Sequence, residues 1–306
     1  MAEGRSGAST PVQRLLDALD RSFPCWSLAP AVALLFALTL YPLANLAAMS
    51  LSTISFAEGR DVWTFTPARN FSLLFSDEVL RAALSNTLIF VVASTLVEVT
   101  LGLALAIGVS RLASGKGMAR TLMILPIIVP PVAIGSMWKL MYNYDFGLFN
   151  QVAAAFGADP INWLGSPRLA LASVILVDVW HWTPFVFLIL FAAVEALPVD
   201  VLEAAHVDGA SRSQSLRHVM LPMLRPALAV AVVFRGILAF KAFDEIYLLT
   251  SGGPGTATEI ISLHLNRVFF EQNQLGYGAL LALLVIAAIV GLLALGRRHL
   301  PQTAAA

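Results

Sequence analysis

The 306-residue chain has few charged residues and a single cysteine, and these scarcities narrow the class of protein to which it can belong. Only 12% of its residues are Asp, Glu, Lys or Arg, 58% are hydrophobic, and the mean hydropathy is +0.79. A soluble domain carries about 25% charged residues, so too little polar material is present to cover a soluble fold. The single cysteine, Cys25, excludes an internal disulfide. The composition excludes a soluble enzyme, a disordered chain and a disulfide-stabilised secreted domain, and it indicates a polytopic membrane protein.

Motifs of catalysis and nucleotide binding are also missing. The sequence has no Gly-x-Ser-x-Gly, no His-Glu-x-x-His, no cysteine cluster and no P-loop. The glycine-rich stretch 251–255 is followed by no strand and by no Lys-Ser or Lys-Thr pair, so it is predicted to be a flexible loop. The net charge is zero, which argues against a nucleic-acid partner. We expect no catalytic site, no metal site and no cofactor bound by this chain.

Six apolar segments are present, each long enough to cross a bilayer, which takes about 20 residues of helix. They are about Leu28–Leu51, Leu84–Ser110, Thr121–Tyr142, Leu169–Ala193, Pro226–Leu249 and Tyr277–Leu295. Prolines inside the third and fourth segments are expected to kink them, since proline removes a helix hydrogen bond; they are Pro126, Pro130, Pro131 and Pro184. The predicted fold is an all-α, polytopic bundle of six transmembrane helices.

The termini and the basic residues predict the topology. The transmembrane domain covers residues 28–298, between a tail of residues 1–27 and a second tail of residues 299–306. Apolar residues recur at helical spacing within 1–27, which predicts an amphipathic helix on the membrane surface. Most Lys and Arg residues outside the spans fall on the side of the two tails, so we expect both termini in the cytoplasm.

The segment 194–225 is long for a connection between neighbouring spans, and it carries structural signals of its own. The spacing of Asp200 and Glu203 resembles a capping box and predicts a short helix over Val201–Val207. Asp208-Gly209 then predicts a turn. The simplest interpretation, a loop that only joins two spans, remains open at this point.

A second short helix is predicted in the same segment. Ser211 and Gln214 have the spacing of a true capping box, and Pro222 and Pro226 are expected to end the helix and lead into the fifth span. The segment is therefore predicted to be a helix–turn–helix at the cytoplasmic end of the bundle.

The residue order in this segment resembles the EAA loop, a signature of the permease subunits of binding-protein-dependent ABC importers. The matching residues run Glu203-Ala204-Ala205, two residues, Asp208-Gly209-Ala210, eight residues, Val219, Met220 and Leu221-Pro222. Further segments are similar to such permeases: Asn86-Thr87, Ile124-Leu125-Pro126 through Pro130-Pro131, Trp138, and the stretch 243–254. That last stretch is typical of the maltose, lactose and glycerol-phosphate subfamily. The resemblance implies the permease fold of type I ABC importers and a multi-pass location in a bacterial inner membrane.

The resemblance also implies partners. The EAA loop would dock as a coupling helix into a cytoplasmic ABC ATPase dimer, which would bind ATP and Mg and hydrolyse the ATP in place of this chain. A related second permease subunit, an extracytoplasmic sugar-binding protein, membrane lipid and the sugar substrate would complete the system. The residues that would contact the ATPase are Glu203, Ala204, Ala205, Asp208, Gly209, Ala210, Leu221 and Pro222.

Charged residues within the predicted spans are candidates for the substrate path, because burying a charge in hydrocarbon is costly. Aromatic faces and polar groups suit a sugar, and the spacing of Phe240, Lys241 and Asp244 predicts one shared helix face. The candidates are Trp180, His181, Trp182, Phe240, Lys241, Asp244 and Glu98. Two structural alternatives stay open: the tryptophans pack or face lipid, and Glu98 forms an interhelical ion pair with Arg235.

Two other classes of protein compete with the permease. An ion-coupled secondary transporter or a channel would explain the spans and the buried charges but not the order of residues in the EAA loop. An intramembrane enzyme would need paired catalytic groups at one depth, and only Glu98 and His181 approach that requirement. The substrate class stays open among disaccharides, other oligosaccharides, polyols and glycerol-phosphate compounds.

Overall fold

The computed structural model describes residues 11–57 and 59–297, and the predicted tail 299–306 lies outside them. The long helices are α1 (Pro11–Ser50), α3 (Glu78–Ser110), α7 (Ala170–Glu195), α10 (Leu221–Phe240) and α13 (Leu275–Arg297). The shorter ones are α2 (Pro67–Ser76), α4 (Lys116–Ile128), α5 (Pro131–Met141), α6 (Leu148–Ala155), α8 (Val199–Val207), α9 (Arg212–Ser215), α11 (Asp244–Thr250) and α12 (Ile261–Asn266). Wider π turns cover Leu216–Met220 and Arg267–Glu271, and β1 (Ser52–Ala57) pairs with β2 (Arg60–Phe65).

The predicted helical membrane bundle is confirmed, with five continuous helices long and apolar enough to cross a bilayer and one bent pair that makes the sixth. The amphipathic helix predicted within 1–27 is not a separate element, because α1 runs from Pro11 to Ser50 without a break. Between α1 and α2 lies an antiparallel β-hairpin in which Ser52 faces Phe65. This hairpin was not predicted from the sequence.

The third predicted span is broken rather than merely kinked. Helices α4 and α5 meet at an angle of 91°. Val129 takes an extended conformation (φ −72°, ψ 129°), as the residue before a proline prefers, and Pro130 has no N–H to continue the helix. In the fourth span, by contrast, α7 continues through Pro184 without interruption.

Two predictions about the fifth span are wrong. Its helix does not begin after Pro226, because Arg212–Phe240 forms one continuous apolar helix that contains both Pro222 and Pro226. The π turn just before α10 widens the helix at residues 216–220 and relieves the clash of the Pro222 ring with the preceding turn, whereas Pro226 lies inside the regular helix. The helix also ends at Phe240 instead of Leu249.

A new helix, α11, starts at Asp244, where two acidic residues favour a helix N-terminus. Phe240, Lys241 and Asp244 therefore do not share one helix face, contrary to the prediction.

The bundle is organised around α3, whose most extensive contacts are with α7 and then α10. The two backbones of α3 and α7 come close at Gly102, where a Cβ would lie 2.8 Å from Val186 Cγ1. Helix α1 packs on α13 and leaves its apolar stretch otherwise exposed. We call the end with residues 194–225 the loop end and the end with the β-hairpin the hairpin end.

A polar network closes the hairpin end. Asp77 caps α3 through the N–H of Leu80 (2.9 Å), and its other oxygen accepts hydrogen bonds from the Tyr277 hydroxyl (2.8 Å) and His264 Nε2 (2.9 Å). Burial alone raises the pKa of Asp77, but these three donors outweigh it, so its pKa lies below the ordinary value. The charged form of Asp77 therefore stabilises the fold, and one side chain joins α3, α12 and α13.

Asp77→Asn should lower the thermal stability at neutral pH by about 1–2 kcal/mol, since an amide has a single acceptor oxygen. Its NH₂ would face either the Leu80 N–H or the Tyr277 and His264 donors. A lowered pKa means that the stabilisation is present above the ordinary value of 3.8 and is lost as the pH falls through the folded-state value. The difference between the variant and the unaltered protein should thus shrink in acid. Thermal unfolding followed by tryptophan fluorescence measures it, with the exposed Asp159→Asn as the control. An equal loss of stability in both variants would contradict the role of the network.

Candidate functional site

The EAA loop, residues 194–225, folds as two short helices joined by a turn, as predicted. Helix α8 begins at Val199, two residues earlier than expected, and its N-cap is Pro198 without a side-chain cap. The predicted capping role of Asp200 is therefore wrong, and this residue lies in the first turn. At α9 the capping box is confirmed: Ser211 Oγ accepts the Gln214 N–H (3.3 Å), and Gln214 Oε1 accepts the Ser211 N–H (2.8 Å).

The turn between the two helices requires glycine. Gly209 has φ +79°, its N–H donates to the His206 carbonyl (3.0 Å), and the Ala210 N–H donates to the Ala205 carbonyl (3.0 Å). This pair of bonds is a Schellman motif, in which the residue with positive φ ends the helix. The motif thus fixes the direction in which the chain continues after α8.

One side of the loop is anchored to the bundle. Leu202 and Leu216 pack against a buried apolar cluster at the loop end, and Lys116 binds Glu195 at the end of α7 (3.2 Å). That cluster contains residues of α7 and α10, so the loop packs against both helices that it connects, and the Lys116–Glu195 pair ties α4 to the end of α7.

The other side of the loop faces outward. Exposed are Glu203, Ala204, Asp208 and Gly209, whereas Ala205, Ala210, Leu221 and Pro222 are half-buried. Val207, whose side chain is 88% exposed beside them, was not among the predicted contact residues. The sequence signal for it was an apolar residue directly before an Asp-Gly turn. The exposed surface consists of small and apolar residues flanked by acidic ones, and the opposite side of the loop packs against the bundle. Such a surface is suited to contact with another protein.

The bundle interior contains a cluster of charges. Arg235 on α10 is completely buried, and its guanidinium binds Asp178 of α7 and both oxygens of Glu98 of α3, with Nη2 donating to Glu98 Oε1 at 2.9 Å. Its Cζ also lies 5.4 Å from the ring centre of Trp182. The ion-pair alternative for Glu98 and Arg235 is confirmed as a contact. Asp178 is an additional member that the sequence left unassigned.

A second buried pair lies further along α7. His181 Nδ1 contacts Glu245 Oε1, and both side chains are almost completely buried. Glu245 belongs to α11, past the break that ends α10. The pair therefore ties the hairpin-end segment 241–250 to α7, and Glu245 was not among the predicted candidates.

The remaining candidates for the substrate path lie in different surroundings. Trp180 packs edge-on against Trp138, with ring centres 5.6 Å apart, so the packing alternative holds for this residue. Phe240 and Lys241 line a largely apolar cavity of about 430 Å³ between α10, α12 and α13. Asp244 is exposed at the start of α11. The structure thus separates the candidates into a buried polar group and an exposed group. Within 11–57 and 59–297 it brings together no three metal-ligating side chains.

Comparison with known proteins agrees with this arrangement. Residues 98–300 match the family described as the inner-membrane component of binding-protein-dependent transport systems. The chain is 37% identical to the trehalose/maltose transport system permease protein of Thermococcus litoralis over 74% of this chain and 76% of that protein. It is 33% identical to the trehalose transport system permease protein of Mycobacterium tuberculosis over 88% and 86%, and 31% identical to the sulfoquinovosyl glycerol transport system permease protein of Agrobacterium fabrum over 90% and 89%.

The fold is that of a solved transporter. A chain in the crystal structure of a bacterial ABC transporter that imports the acidic polysaccharide alginate superposes with a TM-score of 0.76, covering 93% of this chain and 99% of that one at 22% sequence identity. That likeness concerns the fold, and the sequence relatives carry the family. The chain belongs to the family of inner-membrane permease components of binding-protein-dependent ABC transport systems.

Proposed function

We propose that this chain is the membrane-spanning permease subunit of an ATP-driven ABC importer that carries a carbohydrate into the cytoplasm. The observation that carries the proposal is the EAA loop. Its signature residues lie on an exposed, rigidly anchored helix–turn–helix between two spanning helices. Relatives named for trehalose, maltose and sulfoquinovosyl glycerol support a carbohydrate or glycoside as the substrate.

The proposed partners follow from what the chain contains. A cytoplasmic ABC ATPase dimer would bind ATP and Mg and would contact the exposed residues around Glu203 and Gly209. A second permease subunit, a sugar-binding protein outside the membrane and the surrounding lipid would complete the assembly. In this topology the loop end and both termini lie in the cytoplasm, and the hairpin end faces the binding protein.

The mechanism uses the rigid attachment of the loop to the bundle. When the ATPases close, the EAA loop moves with them, and helices α7 and α10 follow because the loop is attached to both. Tightly packed helices move as rigid bodies rather than deform continuously, so the motion reaches the bundle as a change between two arrangements. The substrate path then opens alternately towards each side of the membrane.

Reconstitution in lipid vesicles tests this function. The chain, together with an ABC ATPase, a second permease and a sugar-binding protein, should show ATPase activity that rises with sugar-loaded binding protein. Glu203→Lys reverses a charge on the proposed contact and should abolish the rise. Arg111→Glu reverses an exposed charge at the loop end outside residues 194–225 and should preserve the rise. Sugar uptake by the isolated chain, driven by an ion gradient, would contradict the proposal and favour a secondary transporter.

A further inference from the structure

A cleft at the hairpin end differs in chemistry from the cavities within the bundle. It has a volume of about 410 Å³, and its polar lining residues are Lys139, Tyr142, Asn143, Tyr144, Asn162 and Thr250. By comparison, the cavity of about 440 Å³ between α3, α10 and α13 has a single polar residue, Thr95, among its described lining residues. The cleft lies where the end of α5, the turn 162–165 and the loop 249–254 meet.

Both asparagines in the cleft are held in a fixed orientation. Asn143 Oδ1 accepts the backbone N–H groups of Asp145 (2.9 Å) and Phe146 (3.2 Å), and Asn162 Oδ1 accepts that of Gly165 (2.8 Å). A backbone N–H can bond only to the amide oxygen, so the bonds identify which atom is oxygen. The NH₂ groups are left as donors without a partner among the residues that the structure describes.

The position of Asn162 is further restricted by its neighbour. A Cβ on Gly165 would lie 2.4 Å from Asn162 Nδ2, so this amide occupies space that only glycine leaves available. The donor is therefore prepositioned before any ligand arrives, which lowers the entropic cost of binding.

The rest of the cleft is also rich in donors. Lys139 Nζ uses one of its hydrogens on the Leu248 carbonyl (2.9 Å), and none of the lining residues is Asp or Glu. Tyr144 presents an aromatic ring that is 49% exposed, whereas the Tyr142 hydroxyl is bonded to the Ser173 carbonyl (3.1 Å). Fixed donors beside an exposed aromatic face suit a ligand with many oxygen acceptors and an apolar C–H face.

We propose that this cleft is a carbohydrate-binding site at the outer face, which receives the sugar before it enters the bundle. Asn143 and Asn162 donate to ring or hydroxyl oxygens of a pyranose, Lys139 adds a positive charge, and a sugar face packs on Tyr144. The inference rests on the proposed function, because that function places the hairpin end outside the membrane. It is distinct from the buried candidates around His181.

Replacement of both asparagines by aspartate tests the site without disturbing its turns. Aspartate keeps the oxygen that accepts the backbone N–H groups, and it replaces the NH₂ donor with a negatively charged acceptor oxygen. Binding of trehalose and of digalacturonate to the assembled transporter in nanodiscs, without binding protein, would be measured by equilibrium dialysis. Asn143→Asp/Asn162→Asp should weaken trehalose binding by about tenfold, from the loss of two donors. Digalacturonate binding should fall further, because the new charges repel it.

Gln151→Glu is the matched control, since it makes the same amide-to-acid change on α6, outside the cleft lining. Equal affinity of the double variant and the unaltered transporter would overturn the proposed site. So would the absence of any sugar binding while loaded binding protein still stimulates the ATPase. Sugar binding without such stimulation would instead support the cleft and contradict the proposed function.

Discussion

Arg235→Gln should prevent stable folding of the bundle, with an expected loss of about 3–5 kcal/mol, because removing one partner of a buried ion pair leaves the others uncompensated. Glu98 and Asp178 are fully buried on α3 and α7, and Arg235 is the cation that they share. Glutamine retains hydrogen-bonding capacity but no charge. The two helices in most extensive contact would then carry facing carboxylates in a medium without water.

Two variants separate this electrostatic effect from a general sensitivity of α10 to substitution. Arg225→Gln changes an exposed arginine on the same helix and should leave thermal unfolding nearly unchanged. The uncharged triple variant Glu98→Gln/Asp178→Asn/Arg235→Gln should recover much of the stability, since no unpaired charge remains. Unfolding midpoints in detergent, measured by tryptophan fluorescence, give the comparison. Normal stability of Arg235→Gln alone would show that the carboxylates do not need the cation.

Patterns that extend over many consecutive residues predicted the helical bundle well. Apolar length identified the spanning segments, and the order of residues in the EAA loop indicated the family and a segment that the structure shows to be exposed. Apolar length works because a helix satisfies its backbone internally in lipid, so a long apolar run indicates a spanning helix. The capping box at Ser211 and the turn at Gly209 were predictable because their hydrogen bonds join residues that are close together in the sequence.

The errors occurred where helices bend or where distant residues meet. Pro222 and Pro226 looked like helix ends, but a π turn in the preceding residues accommodates Pro222, and the helix continues through Pro226. Propensity does not reveal such a turn. The end of α10 at Phe240 was hidden because the apolar pattern continues into α11.

The partners of the buried charges depend on tertiary contacts. Arg235 and Asp178 are 57 residues apart, and His181 and Glu245 are 64 residues apart. One sequence showed that these groups were costly in a membrane, and the only pair that it gave as an alternative was Glu98 with Arg235. It did not show that Glu245 would lie past a helix break and reach back to α7.

Gly209→Pro should abolish the stimulation of the ATPase by loaded binding protein while the bundle remains assembled. Proline cannot adopt φ +79° and has no N–H to donate to His206, so the Schellman turn is lost and α8 changes direction. Coupling between two sites in a protein is typically about 5–150-fold, and we expect stimulated turnover to fall by more than about tenfold. Basal ATP hydrolysis should persist, because the proposed function assigns it to the partner ATPase.

Gly115→Pro provides a control with almost the same backbone geometry. Gly115 has φ +80°, it lies at the loop end as the N-cap of α4, and, as at Gly209, a Cβ added there would meet no atom within 4 Å. Each substitution places proline in a turn whose positive φ proline cannot adopt, but only Gly209 joins the two helices of the EAA loop. If both variants lost stimulation equally, the effect would reflect general damage to the loop end. Loss confined to Gly209→Pro would assign the coupling to the EAA turn, because both changes place proline at a positive φ and only the Gly209 change also removes a hydrogen bond of that turn.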